Sequence, residues 1–351
     1  MTDNLFRVAE ALGRPLHGMH VLARSGKPLL ALPSGREAAL RTLRLYQPQR
    51  GLAKLTACLL RAACTFGAHR ILLPKASVGA TEASGNLLPG ETDPESVGVL
   101  FGSSEHRVFR AVLSYCNGGN WEVGKLAAGE DGATMLEREA QAIQRISPRV
   151  PEAPELLGLE EAGNARLLRM PYFRGCPLQP GDTQPIRRLL DSWLSNSSAR
   201  PLESFPEWAA ISAGLGIIPG GERIIERIAK LPLLPSIRHG DLARWNLLTT
   251  ETGELKVLDW EWGEPDGMPG IDLVHFIAQD LRLVQRLPDA MVFRKTLDEL
   301  RQPLWRDYLV RCGWQGHESE MIIACLAFKQ GAGHQENRPI LEACAIESSQ
   351  G

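Results

Sequence analysis

The sequence predicts an α+β protein in two parts, a sheet-rich first half followed by a helix-rich second half. Residues 96–175 read as a run of strands with one helical stretch inserted. After Gly175 the apolar spacing turns largely helical. A chain of 351 residues also exceeds one compact core and suits two domains of ordinary size. The expected division is an N-terminal extension and linker over 1–95, packed on the lobe that follows, a strand-rich lobe over 96–175, and a helical lobe over 176–351.

Taken in order, HVLARSGKPLLALP (20–33) is strand-like, and residues 36–67 are helical, split in two by Pro48 and Gly51. Residues 76–95, rich in Gly, Ser, Pro and acid, read as a linker or surface loop. SVGVLFGSS and EHRVFRAVLSY then form two strands joined at a Gly-Ser turn, and NGGN (117–120) is a hairpin signal before a third strand, WEVGKLA. Apolar positions 135, 136, 140, 143 and 146 mark a helix, and ELLGLEEAGNARLLRMPY a further hairpin. Helices are expected at 183–196, 207–213, 221–230, 271–286, 292–312 and 318–330, interrupted by a short β segment at 246–260.

Composition excludes several classes of function. A chain 44% hydrophobic and 23% charged lacks the signature of disorder, and a net charge of −2 gives no nucleic-acid or membrane-surface footprint. Seven scattered cysteines without a CxxC pair fit reduced thiols better than disulfides or a zinc site. MTDNLFRVAEALG lacks the order of a signal peptide, and MIIACLAF (321–328) is too short to span a bilayer. The expectation is a cytoplasmic protein with no nucleic-acid or membrane partner; a protein partner is left undefined.

The chemistry concentrates in IRHGDLARWNLL (237–248) and KVLDWEW (256–262). Asn246 follows Asp241 by five residues and Asp259 follows Asn246 by thirteen. Asn246 opens one strand, ETGE turns the chain, and Asp259 lies near the end of the returning strand. Antiparallel neighbours stand about 5 Å apart, so the hairpin can gather an amide oxygen and a carboxylate at one point. Hard oxygens of this kind, completed by phosphate oxygens, suit Mg²⁺. Asp241, on the preceding loop, can face that point and accept a hydroxyl proton.

The blocks HGDLARWNLL and VLDWEW resemble the catalytic loop and metal-binding segment of the aminoglycoside phosphotransferase and choline kinase branch of the protein-kinase-like superfamily. The resemblance spans about residues 96–290 and implies a bilobal fold with the nucleotide between the lobes. It makes Asp241 the catalytic base and gives Mg²⁺ to Asn246 and Asp259. By the same resemblance Lys125 is the phosphate-binding lysine and Glu139 its helix partner, with Glu137 as a competitor for that place. Gly102, Ser103 and Ser104 occupy the phosphate-cradling turn, which departs from the protein-kinase G-x-G-x-x-G. LLRMPYFRG (167–175) is the hinge, whose backbone near Met170 to Tyr172 would meet the adenine edge. His239 is expected to brace the loop, as is an aspartate such as Asp272.

A short link joins Asp259 to Ile271-Asp272-Leu273, no APE-like motif follows, and the loop reads HGD rather than HRD. This leaves no peptide platform and points to a small hydroxyl acceptor such as an aminoglycoside, sugar or amino-alcohol, with ATP or GTP as donor. The alternative is a catalytically silent pseudokinase that binds nucleotide or serves as a scaffold. Gly119 to Lys125 mimics a P-loop, but Leu126 stands where Ser or Thr would bind Mg²⁺, and no helix follows. Seven of the eight tryptophans fall in the second half, as core packing or as a stacking box for a sugar or quaternary ammonium group.

Overall fold

The computed structural model describes residues 2–48, 51–79, 86–102, 109–179, 181–332, 341–342 and 344. Two compact units divide the chain, one comprising Met1–Gln144 and Pro154–Arg174, the other Arg145–Ala153 and Gly175–Gly351.

The first unit is built on α1 (Thr2–Leu12), β1 (Leu16–Arg24), β2 (Lys27–Leu32), α2 (Arg36–Leu45), α3 (Gly51–Thr65) and the short α4 (His69–Leu72). It continues through β3 (Lys75–Val78), β4 (Gly98–Phe101), β5 (Phe109–Asn117), β6 (Asn120–Ala128), α5 (Glu130–Ile146), β7 (Gly158–Ala162) and β8 (Ala165–Pro171). All eight strands form one antiparallel sheet in the order β3-β1-β2-β4-β5-β6-β8-β7. The single strand-like segment expected at 20–33 is a hairpin. Ser25 and Gly26 both take positive φ there, which reverses the chain in two residues.

The N-terminal strands belong to the sheet itself, because β2 pairs directly with β4 through Leu30–Leu100 and Ala31–Val99. Helix α1 buries Leu5, Val8, Ala9 and Leu12, one face at helical spacing, into the same core as Val99, Leu113 and Leu167. The NGGN turn closes β5 on β6 with Asn117 opposite Asn120 and both glycines at positive φ.

A polar network crosses β5, β6, β8 and β7. The Glu122 carboxylate accepts from Tyr115 Oη (3.0 Å), Asn117 Nδ2 (2.7 Å) and Arg169 Nε (2.9 Å), while Arg169 Nη1 donates to Glu160 (2.8 Å). Burial works to raise the Glu122 pKa, but the hydrogen bonds from Arg169, Asn117 and Tyr115 outweigh it and hold it below the ordinary value.

The second unit contains β9 (Gly175–Pro177), α6 (Gln184–Trp193), β10 (Arg200–Pro201), α7 (Trp208–Gly216), α8 (Gly221–Ile228), β11 (Pro232–Leu233) and β12 (Ser236–Arg238). After them come β13 (Leu247–Thr250), β14 (Leu255–Val257), β15 (Glu264–Gly267), α9 (Ile271–Gln279), α10 (Asp289–Leu300), α11 (Pro303–Cys312) and α12 (Glu318–Gly331). The one helix expected over 292–312 is two, parted where Pro303 starts a new first turn. The helix expected over 271–286 ends as α9 and passes into a π turn, Asp280–Val284. Helices α7 and α12 approach until their backbones touch: a Cβ on Gly214 would lie 2.1 Å from the Ala327 oxygen, and one on Gly331 2.0 Å from the Ala210 oxygen. Trp260, Trp305 and Trp314 are fully buried, as packing requires. Among the described residues no helix is long and apolar enough to cross a membrane.

Glu122→Ala would remove the acceptor of the Tyr115, Asn117 and Arg169 bonds and leave Arg169 with Glu160 alone. Chemical denaturation should report a loss of about 1–3 kcal/mol, whereas a change within about 0.5 kcal/mol would show the network to be peripheral.

Candidate active site

The second unit's site grows from the loop between β12 and β13. His239 and Gly240 donate their backbone amides to the two oxygens of Asp272, at 2.7 and 2.8 Å. Asp272 lies in the first turn of α9 and is only 4% exposed, so one buried carboxylate fixes two consecutive residues of the loop. Gly240 has φ +84°, and a Cβ there would lie 2.6 Å from the Cβ of Trp262, so no other residue fits. His239 braces the loop from the other side. Its Nδ1 accepts the Asp241 amide (3.2 Å), its Nε2 lies 2.8 Å from the Leu258 carbonyl, and its ring meets Trp260 edge-on at 4.8 Å. Just upstream, Arg238 Nε donates to the buried Glu207 at 2.6 Å and its Nη1 to the Trp262 carbonyl.

These restraints aim Asp241. Asn246 Nδ2 donates to the Asp241 carbonyl (2.9 Å) and approaches Asp241 Oδ2 (3.4 Å), which leaves the Asn246 side-chain oxygen for another partner. The Leu258 amide bonds the Asn246 carbonyl at 2.8 Å, so the hairpin returns Asp259 alongside Asn246. Asp259 stands two residues past β14 rather than within it, at φ +70°, a left-handed conformation that a non-glycine residue seldom keeps without a reason in its surroundings. Among the described residues no three His, Cys, Asp or Glu side chains cluster as a self-sufficient metal site. The donor set instead fits a hard cation that takes two protein oxygens and draws the rest from phosphate and water.

Two residues that the motifs did not reveal complete the surroundings of Asp241. His275 Nε2 lies 2.8 Å from Asp241 Oδ1. On the far side of the ring, Lys329 Nζ lies 2.6 Å from His275 Nδ1. His275 follows Asp272 by three residues and shares its helix face. Lys329 ends the apolar run of α12, and a cation in that context is the signal that sequence alone offered. Burial pushes the Asp241 carboxyl upward, but His275, then Lys329 and His239, outweigh it and hold it below the ordinary aspartate value. Lys329 is lowered, chiefly by burial.

Asp241, His275 and Lys329 line a cavity of about 170 Å³. Its walls are mostly apolar, including Val274, Phe293 and Ile322, and Arg282 reaches it from the π turn. Arg282 pairs with Asp289 at 3.0 Å.

In the first unit, Lys125 on β6 meets Glu139 on α5 at 2.5 Å, with the Glu139 side chain only 2% exposed. Glu137 points elsewhere, to Arg166 at 3.5 Å. Gly102 follows β4, and its amide is bound to the Arg110 carbonyl; Ser103 and Ser104 lie outside the described residues. Met170 is buried on β8 opposite Val123. The Tyr172 amide donates to the Trp121 carbonyl at 3.0 Å, so it is spent on the sheet and not open to an adenine edge. The Tyr172 hydroxyl donates to the Arg41 carbonyl.

No family model matches the chain, and no curated protein matches it. Solved structures that resemble it include the aminoglycoside phosphotransferase APH(4)-Ia, at 12% identity and TM-score 0.48 over 71% of this chain and 92% of that one. A putative fructosamine-3-kinase from Haemophilus somnus 129PT gives 13% and 0.44 over 71% and 90%. A putative aminoglycoside phosphotransferase from Ralstonia eutropha JMP134 gives 16% and 0.43 over 75% and 94%. Likeness at this level carries no weight beside the residues themselves.

His275 is held neutral, first by burial and then by the Lys329 charge, against the pull of Asp241 and Asp272. Unfolded, its ring titrates near ~6.5. The unfolded chain therefore takes up the proton first, and stability falls as pH drops below that value. Melting profiles from about pH 7 to about pH 5 should be steeper for the wild type than for His275→Gln, and equal slopes would remove His275 as the cause.

Proposed function

We propose that the protein is a small-molecule kinase, transferring the γ-phosphoryl group of ATP or GTP to a hydroxyl of a small acceptor. The observation that carries this reading is the aim of Asp241, whose carboxylate borders a closed-in cavity while its loop is tied to Asp272 and to Asn246. In the proposed reaction the acceptor oxygen forms a bond to the γ-phosphorus as the bond to the β–γ bridging oxygen breaks. Asp241 receives the acceptor's proton, and the nucleoside diphosphate leaves. A carboxylate held below its ordinary pKa suits this role, because the proton moves late and the base must be ionised before the substrate arrives. Asn246 and Asp259 would hold Mg²⁺, which supplies charge neutralisation at the phosphates. Lys125, oriented by Glu139, is assigned to the phosphates.

The cavity lining supports a reading of the acceptor. Its described lining carries Arg282 and Lys329 against Asp241 as the one carboxylate. Arg282 is already paired with Asp289, and Lys329 faces Asp241 across His275, so the lining charge nearly balances and suits an uncharged hydroxyl compound such as a sugar. A volume of about 170 Å³ suits a molecule of about one ring. The silent alternative gains nothing from these residues, since base, metal oxygens and lysine are all present.

Asp241→Asn should lower phosphate transfer by about 10²–10⁴-fold while calorimetric nucleotide affinity stays within about two-fold. Asp259→Ala should instead weaken Mg²⁺-dependent nucleotide binding by at least about ten-fold. Transfer at the wild-type rate by Asp241→Asn, scored as diphosphate release over a panel of sugars and amino-alcohols, would overturn the assignment.

A further inference from the structure

Net charge averages over the whole chain and hides one stretch. Residues 38–81 contain no Asp or Glu but carry Arg41, Arg44, Arg50, Lys54, Arg61, Arg70 and Lys75. Within it, α3 is apolar on two faces. Ala57, Leu60 and Cys64 point inward, and Leu60 and Cys64 pack with Leu30, Leu32, Ala39 and Leu43. Nearly opposite, Leu52 (83% exposed), Leu55 and Leu59 (64%) form a stripe on the helix, continued by Phe66 (78%) one residue past its end. Ile71 (88%) and Leu72 follow on α4. Lys54 and Arg61, seven apart and both exposed, share a separate line of α3 between that stripe and the buried face.

Single exposed leucines need no explanation, but six large apolar side chains concentrated on two adjoining helices do. The core does not explain them, because its face of α3 is the other one. We propose that the outer face of α3 and α4 is a docking surface for an anionic lipid bilayer. A 15-residue helix offers about 22 Å of contact. Lying in the interface plane, it buries its leucines and Phe66 at the headgroup–acyl boundary while its cations meet lipid phosphates and carboxylates. A second copy of the chain is a poorer occupant. Two-fold pairing of this segment would bring like charge to like, with no carboxylate within residues 38–81 to offset it. The surface is independent of the kinase reading and lies wholly in the first unit.

The test is co-sedimentation of the full chain with vesicles of phosphatidylcholine alone or mixed with phosphatidylserine at three to one. Binding should favour the mixed vesicles by at least about ten-fold, each basic residue near the surface contributing about five-fold. It should be lost at about 1 M salt, where the screening length is ~3 Å. Leu55→Glu/Leu59→Glu and Lys54→Glu/Arg61→Glu should each reduce binding about ten-fold or more with an unchanged melting temperature, because all four side chains are exposed. Absence of wild-type binding to either vesicle overturns the proposal, as does undiminished binding of both variants. So does a dimer in sedimentation velocity that Leu55→Glu/Leu59→Glu dissociates while no vesicle binding is found.

Discussion

Asp272 accepts two consecutive backbone amides, and the rest of the second unit's site hangs from that contact. Hydrogen bonds to a charged group contribute about 1.5–3 kcal/mol each. A pair of them across one buried carboxylate also fixes direction, since both loop N–H groups must converge on it. The loop can accept this only because Gly240 takes a left-handed turn against Trp262. Asp272 is itself set by the start of α9, where the Gly270 amide donates to the buried Tyr308 hydroxyl and Trp314 Nε1 to the Pro269 carbonyl. The position of a candidate base thus traces back through one helix terminus to an aromatic core.

The same helix sets the electrostatics around Asp241. Asp272 and His275 occupy successive turns of α9, so one helix places both the residue that holds the loop and the residue beside Asp241. Lys329 arrives from α12, which can lie close because Gly214 and Gly331 remove side chains where α7 and α12 cross. The chain Lys329–His275–Asp241 keeps the imidazole neutral and the carboxylate ionised without a full ion pair at Asp241. A direct Lys–Asp contact would stabilise the anion more strongly and lower its ability to take a proton. An interposed neutral ring moderates that.

In the first unit the constraint is continuity of the sheet. β6 carries both Glu122, the hub of the buried polar network, and Lys125, paired with Glu139. The pleat sends odd and even residues of one strand to opposite faces, so the network and the lysine occupy different sides of β6. Three further strands contributed by the N-terminal residues extend the same sheet beyond β4. Of these, β2 joins the core of α2 and α3 through Leu30 and Leu32.

Patterns local in the chain were legible in the sequence: the NGGN turn, the helix containing Glu139, the hairpin from Asn246 to Asp259, and the order of sheet and helices. Each rests on backbone preference or on a period of two or 3.6, which neighbouring residues alone decide. The hairpin within residues 20–33 and the break at Pro303 are local too: Arg24-Ser25-Gly26-Lys27 is a polar turn, and Pro303 opens a new first turn. What only the tertiary structure decided is who meets whom across the chain. Nothing within reach of Asp241 in sequence announces Lys329, 88 residues on, or says that the Tyr172 amide would be taken by Trp121. Such pairings depend on how helices and strands pack, and packing is settled by the summed contacts of the core rather than by any short run of residues.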